Sequence, residues 1–204
     1  MMAWLALPLL AYLLGSIPTG YLLTRMWKGQ DIRQAGSGNV GATNVARVAG
    51  KIPGLIVLLI DLGKGALAAG VLPMWCPGSD ASLLHPLRLV AGVAVVLGHD
   101  YSCFLRFRGG KGVATGCGVL LALLPVVAGL CALVWIAVFA WSRYVSLASI
   151  IASGTLPLWL LLFGHAAPVV IFGAFLGWLA VYRHQPNIRR LYLGQEPKFG
   201  SSHV

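Results

Sequence analysis

The chain has 204 residues, of which 58% are hydrophobic and only 10% charged, with a mean hydropathy of +0.84. A soluble domain carries about 25% charged residues, so most of this surface faces lipid. The net charge of +10 would suit nucleic acid, but the cations sit in short loops between apolar runs. They form no basic helix face with aromatic stacking residues, which excludes that class and leaves topology, anionic ligands and lipid headgroups.

In chain order, a helix crossing a bilayer core of about 30 Å needs about 20 apolar residues. Met2–Thr24 meets this, and without a basic leader or a small-residue cleavage site it reads as a retained span rather than a signal peptide. Ile52–Trp75 and Leu84–Phe104 follow, then two longer apolar stretches, Val113–Trp141 and Val145–Tyr182. No soluble domain, heptad array or long repeat appears. The four cysteines, Cys76, Cys103, Cys117 and Cys131, form no C-x-x-C pair and read as small buried hydrophobes.

Charge placement sets the sidedness. Arg25, Lys28, Arg33, Arg47 and Lys51 crowd the first loop, Arg106, Arg108 and Lys111 a second, and Arg183, Arg189, Arg190 and Lys198 the tail. Cys76–Leu83 has no basic residue. The positive-inside rule puts the basic segments in the cytoplasm and the N-terminus outside. An even number of crossings must then separate Lys111 from Arg183. Val145–Tyr182 is too long for one span and carries a turn signal at Gly164–Pro168; Val113–Trp141 turns at Leu124–Pro125. The expectation is an all-α polytopic membrane protein. It is one integral membrane domain, 1–204, with seven transmembrane helical segments, some short or tilted, and a cytoplasmic C-terminus. Five long spans is the alternative. The tail Gln195–Val204 is expected to be loosely ordered.

Three constellations carry chemistry. GSGNVGATNVARVAG at Gly36–Gly50 combines glycines with Ser37, Asn39, Asn44 and Arg47. Glycine lets backbone N–H groups approach an anion, and arginine adds a charged fork. RFRGGKGVATG at Arg106–Gly116 puts Gly109, Gly110, Lys111, Gly112 and Thr115 at the start of a helix, in kind a phosphate cradle. It lacks the Walker A pattern, so nucleotide hydrolysis is not supported. RHQPNIRRLYLGQE at Arg183–Glu196 places His184 and Asn187 three apart, on one face of a helical turn. Asp61 and Lys64 lie within a span and can pair. His99 and Asp100 are adjacent, and neighbours on a helix point apart. Ser146 opens a span beside Arg143 as a helix hydroxyl or a ligand contact. No HExxH, EF-hand or G-x-S-x-G pattern is present, so no metal or nucleophile elbow is indicated.

Those three motifs, in register between apolar spans and reinforced by DLGKG, LGHDYSCFLRFRGGKG and RYVSLAS, resemble the acyl-phosphate-dependent glycerol-3-phosphate acyltransferases of bacteria, the PlsY family, over essentially the whole chain. The resemblance implies transfer of a fatty acyl group from acyl phosphate to the 1-position of glycerol 3-phosphate. The products would be lysophosphatidate and phosphate, made at the cytoplasmic face of the bacterial inner membrane as the first step of phospholipid synthesis. It implies a seven-helix fold, no cofactor, membrane lipid as a partner, and a functional link to an enzyme that forms acyl phosphate. Carried over by position, Ser37, Arg47, Lys111, Ser146, His184 and Asn187 would contact the phosphates and the acceptor, with Lys111, Arg47, His184 and Ser37 as the catalytic set. Gly109, Gly110 and Gly112 would shape the phosphate loop, and Glu196 would brace the third motif. The chain carries Gln185-Pro186 where the family usually has a charged residue, which bears on where Asn187 sits. The competing classes are a transporter of a phosphorylated solute, which Asp61 and Lys64 would suit, and a non-enzymatic lipid-binding protein.

Overall fold

A computed structural model describes residues 2–76 and 82–200. Most of the loop expected on the outer face, and the last residues of the tail, lie outside them. The described residues form helices and turns without a strand. They divide into two compact units, Met1–Leu124 and Pro125–Val204.

The first unit holds α1 (Met2–Ser16), α2 (Thr19–Lys28), α3 (Ala42–Val48), α4 (Lys51–Ala66), α5 (Pro86–Asp100) and α6 (Val113–Leu123). A π turn at Leu67–Val71 and a 3₁₀ turn at Leu72–Trp75 continue α4. Two helix pairs meet through reciprocal glycines. A β-carbon built at Gly15 of α1 would lie 2.0 Å from the Val95 carbonyl of α5, and one at Gly98 of α5 would lie 2.1 Å from that of Tyr12. The same exchange joins α4 to α6, where Gly65 faces the Thr115 carbonyl at 2.0 Å and Gly118 that of Leu62 at 1.9 Å. Lipid is as apolar as leucine, so close backbone packing of this kind, not burial alone, holds such helices together.

The first apolar run is not one helix. Pro18 has no N–H and stops α1 at Ser16. In lipid the carbonyls freed by such a break must find donors. Lys64 of α4 supplies them, its ammonium lying 3.2 Å from Gly15 O and 3.0 Å from Ile17 O. Ser102 Oγ donates to Ser16 O. The ammonium is balanced by Asp61 at 2.8 Å, whose carboxylate also accepts from Thr19 Oγ1 at 3.0 Å. Asp61 and Lys64 are both buried.

The second unit holds α7 (Pro125–Ser142), α8 (Val145–Leu162), α9 (Ala167–Arg183) and α10 (Gln185–Tyr192). Pro157 within α8 deprives the Ser153 carbonyl of its N–H partner, and Gly177 of α9 packs against it, a β-carbon there falling 2.5 Å from that oxygen. Gly173, one turn earlier, packs on Leu160.

Both long apolar stretches are broken where the turn residues stand. Leu124, at φ −142° and ψ 59°, ends α6 before Pro125 starts α7. The other stretch breaks between Leu162 and Ala167, with Gly164 at φ 65°. Among the described residues, five helical runs, some of them broken, are long and apolar enough to cross a membrane: Trp4–Lys28, Lys51–Trp75, Pro86–Leu105, Pro125–Ser142 and Val145–Leu162. Ala167–Arg183 with Gln185–Tyr192, bent by 55°, makes a sixth. The remaining apolar helix, α6, has 11 residues. At about 1.5 Å per residue it reaches only about half the hydrocarbon thickness.

Replacing Lys64 by alanine takes a donor from Gly15 O and from Ile17 O, the latter keeping the Thr19 N–H, and leaves the Asp61 charge without its ammonium partner in the interior. Lys64→Ala is expected to lose about 3–5 kcal/mol, the usual cost of breaking a buried pair from one side. Thermal unfolding in detergent measures it. Lys64→Met combined with Asp61→Asn should recover part of the loss, because the lone charge is then gone.

Candidate active site

In the first unit the Gly36–Gly50 loop is organised by Asn44. Its side chain is buried. Asn44 Oδ1 accepts from Ser37 N at 2.9 Å, and Nδ2 donates to Ala35 O at 3.0 Å and Asn39 O at 2.8 Å. Asn39 Oδ1 accepts from Gly41 N at 2.8 Å. Gly36 and Gly38 take positive φ, 59° and 72°, and at Gly36 a β-carbon would strike Asn44 Oδ1 at 2.2 Å. These contacts hold the loop in one shape. Ser37 and Arg47 are exposed on it, Arg47 in the last turn of α3. Arg33 is set apart by its partner Asp31, 2.6 Å away, and lies over the Tyr21 ring. The Arg33 hydrogen bond holds the Asp31 carboxyl down to about 2.

The second constellation folds back over the end of α5. Arg106 and Phe107 adopt left-handed conformations, φ 53° and 61°, which non-glycine residues rarely take. The reversal brings Phe107 N to Ser102 O at 2.8 Å, Gly109 N to Asp100 O at 3.1 Å and Gly110 N to His99 O at 2.9 Å. Two of the glycine amides expected to face an anion, those of Gly109 and Gly110, are therefore engaged in closing the helix end. Gly109, Gly110 and Gly112 are required instead for close approach, since a β-carbon at each would lie 2.1 Å from His99 O, 2.1 Å from His99 Nε2 and 2.8 Å from Val96. Lys111 is half-buried at the mouth of α6, whose N-cap is Gly112, φ 69°. Thr115 is fully buried, and its hydroxyl has no hydrogen-bond partner. His99 and Asp100 diverge as adjacent helical residues do. The His99 ring lies beside Asp61 and Gly110, and the Asp100 carboxylate faces Gly112.

In the second unit the third constellation sits on the 55° bend between α9 and α10. His184 is the hinge residue, C-cap of one helix and N-cap of the next. Pro186 falls in the first turn of α10, where a missing N–H costs nothing, so Gln185-Pro186 is compatible with the helix. Asn187 N bonds His184 O at 2.8 Å. His184 is buried, with Nδ1 2.7 Å from Ala180 O. A carbonyl can only accept, so Nδ1 carries the proton and Nε2 is the acceptor nitrogen of the neutral ring.

Glu196 ties this unit together. Oε1 accepts from Ser146 Oγ and Asn187 Nδ2, each at 2.7 Å, and Oε2 from Arg190 Nε at 2.6 Å. Burial works against the charged carboxylate, but these hydrogen bonds and the Arg190 charge outweigh it and hold its pKa below the ordinary value of 4.5. The described part of the tail is not loose. Phe199 N donates to Arg143 O at 2.9 Å, Arg143 Nη2 to Phe199 O at 3.2 Å, and Phe199 packs edge-on against Phe139. The Glu196 partners fix where the chain must run, which composition could not show.

A family model described as glycerol-3-phosphate acyltransferase matches residues 5–194. The chain belongs to the glycerol-3-phosphate acyltransferase family. The glycerol-3-phosphate acyltransferase of Desulforudis audaxviator is 50% identical over 190 residues, covering 93% of this chain and 92% of that protein. That of Aquifex aeolicus is 45% identical over 195 residues, covering 96% and 98%. The crystal structure of PlsY, an integral membrane glycerol 3-phosphate acyltransferase, in its glycerol 3-phosphate form superposes with a TM-score of 0.88. It shares 45% identity and covers 97% of this chain and 96% of that one. Its lysophosphatidic acid form gives 0.84 at 43% identity, covering 97% and 95%. This chain is thus an integral membrane member of the PlsY family.

Glu196→Gln is expected to destabilise by about 2 kcal/mol at neutral pH, from weakened hydrogen bonds to a charged group. Its folded pKa is depressed, so its contribution is full above 4.5 and is lost as pH falls through the folded value. Melting curves of the two proteins should converge below that pH.

Proposed function

We propose that this chain transfers a fatty acyl group from acyl phosphate to the 1-hydroxyl of glycerol 3-phosphate, releasing lysophosphatidate and inorganic phosphate in the bacterial cytoplasmic membrane. The observation that carries the reading is its likeness, over 97% of its length, to a PlsY crystallised in both glycerol 3-phosphate and lysophosphatidic acid forms. In this reading both units serve one acyltransferase domain. Seven helical segments leave the N-terminus outside and all three basic segments in the cytoplasm.

The hydroxyl oxygen attacks the acyl carbonyl carbon, an ester C–O bond forms, and the bond to the phosphate oxygen breaks with its electron pair leaving on phosphate. An acyl phosphate is already activated, so neither an enzyme nucleophile nor a cofactor is needed. What remains is to hold two anions against their repulsion and to stabilise charge on the carbonyl and the leaving group; positioning alone can supply up to about 7–11 kcal/mol. With the amides of Gly109 and Gly110 engaged elsewhere, the donors in this reading are Lys111, Arg47, the Ser37 hydroxyl and the first-turn amides of α6 at Val113 and Ala114. Asn44 and Asn39 shape the loop rather than grip phosphate, and Thr115 is buried within α6.

In the second unit, the Ser146 hydroxyl donates its hydrogen bond to Glu196 and is suited to accept one from the glycerol hydroxyl. Asn187 holds the acceptor. His184 Nε2 takes the reacting proton; the substrate's own phosphate is the other acceptor, and an unchanged pH–rate profile in His184→Gln would select it. The acyl chain stays in lipid, and an enzyme that forms acyl phosphate supplies the donor. Transport is disfavoured, because Asp61 and Lys64 are packed on the α1 break instead of standing ready to bind a solute.

Purified protein given glycerol 3-phosphate and acyl phosphate should release phosphate, whereas acyl-CoA and acyl carrier protein thioesters should not serve. Turnover with a thioester and none with acyl phosphate overturns the donor assignment. Lys111→Ala and Arg47→Ala should each lower kcat by about 10²–10³, the effect of removing one oxyanion donor. Single cysteines at Asn39, Lys111 and Asn187 should all react with an impermeant reagent from the cytoplasmic side only; labelling from opposite sides rules out the shared chemistry.

A further inference from the structure

The residue before Lys111 rests on a side chain to which no role in transfer has been given. A β-carbon at Gly110 would lie 2.1 Å from Nε2, 2.8 Å from Cδ2 and 3.0 Å from Cε1 of His99. The imidazole is therefore the floor under this glycine, and the Gly110 amide is drawn onto it by the bond to the His99 carbonyl. On its other side, Nδ1 of His99 lies 3.9 Å from Asp61 Oδ1, the oxygen that Lys64 and Thr19 also hold. A cavity of about 10 Å³, bordered by Asp61, Ser102 and Thr19, adjoins the ring.

We propose that His99 is a positioning residue for the transfer reaction: its ring sets the height of the Gly110 backbone, and hence the place from which Lys111 reaches the phosphoryl group. The chain of contact runs from the α1 break, through Lys64, Asp61 and the His99 ring, to the residue beside the reacting anion. This rests on the reading of Lys111 as a phosphate contact. A displacement of about 1 Å at a reacting group is worth about a hundredfold in rate. The site therefore tolerates neither a missing floor nor a raised one.

The test is a steric rescue. His99→Ala should lower kcat about tenfold or more, with the KM for glycerol 3-phosphate changed less and the melting temperature near that of the wild type. Gly110→Ala should lower kcat about a hundredfold, because its methyl meets the ring. With His99→Ala added, it should regain at least tenfold over Gly110→Ala alone. Wild-type kcat in folded His99→Ala, or a double variant no faster than Gly110→Ala, overturns the proposal. If Gly110→Ala does not fold, His99→Ala decides alone by its kcat. Hydrogen exchange at the Gly109 and Gly110 amides needs no turnover. Faster exchange in His99→Ala supports the seat even if wild-type protein proves inactive with every donor, and unchanged exchange in that case removes it. Inactivity of the wild type counts against the functional reading instead.

Discussion

A helix cannot be interrupted inside lipid unless its freed carbonyls are given donors, and in this chain one ammonium group serves two of them while the Ser102 hydroxyl serves a third. Lys64 reaches Gly15 O and Ile17 O across the break that Pro18 imposes on the first span. A charge at that depth is tolerated because Asp61 lies 2.8 Å away and Thr19 completes its coordination. The arrangement fixes α4 against the broken span. The glycine exchanges then fix α5 against α1 and α6 against α4. The end of α5 and the start of α6, between which the second motif is strung, inherit their positions from it.

That inheritance changes how the glycines of the second motif should be understood. A run of glycines beside a lysine suggests a cradle of amides turned toward an anion. Here two of those amides close the end of α5, and the missing side chains let the loop lie flat on His99 and Val96. A flat loop keeps two of its own amides turned onto the end of α5. It leaves the first-turn amides of α6 as the backbone donors that no carbonyl of their own helix can satisfy. The cost of the shape shows at Arg106 and Phe107, held in left-handed conformations that side chains of their size disfavour.

The apolar runs, the turns at Leu124–Pro125 and Gly164–Pro168 and the three polar constellations were legible because each depends on local chemistry: length, a missing N–H, a permitted positive φ. The break at Pro18 carried the same local signal but was masked by the apolar run around it. The destination of a hydrogen bond was not legible. Asn44 looks like a ligand contact until its amide is seen joining Ala35 to Asn39. The tail looks loose until Glu196 is found buried under Ser146, Asn187 and Arg190. Both outcomes are set by which segments meet, and periodicity carries no record of that. The short segment expected before Leu124–Pro125 was legible from the same proline. Val113–Trp141 has enough apolar residues for a span and more, yet the proline leaves α6 only 11 of them.

A short helix is a reasonable thing to place behind the proposed phosphate contact at Lys111. The dipole and the unpaired amides of a helix act within its first turn, so added length gives no further attraction for an anion. Buried far into hydrocarbon, a longer helix would carry its N-terminus and Lys111 away from the aqueous boundary where a soluble acceptor arrives. Gly65 and Gly118 lock α6 to α4 near its middle, and α4 is anchored through Lys64 to the broken span. The level of the α6 N-terminus is thus set by packing among helices rather than by hydrophobic match to the bilayer. Such an end stays at one level while the lipid around it changes thickness, which suits the proposed reaction, in which a water-soluble acceptor would meet a chain dissolved in the membrane.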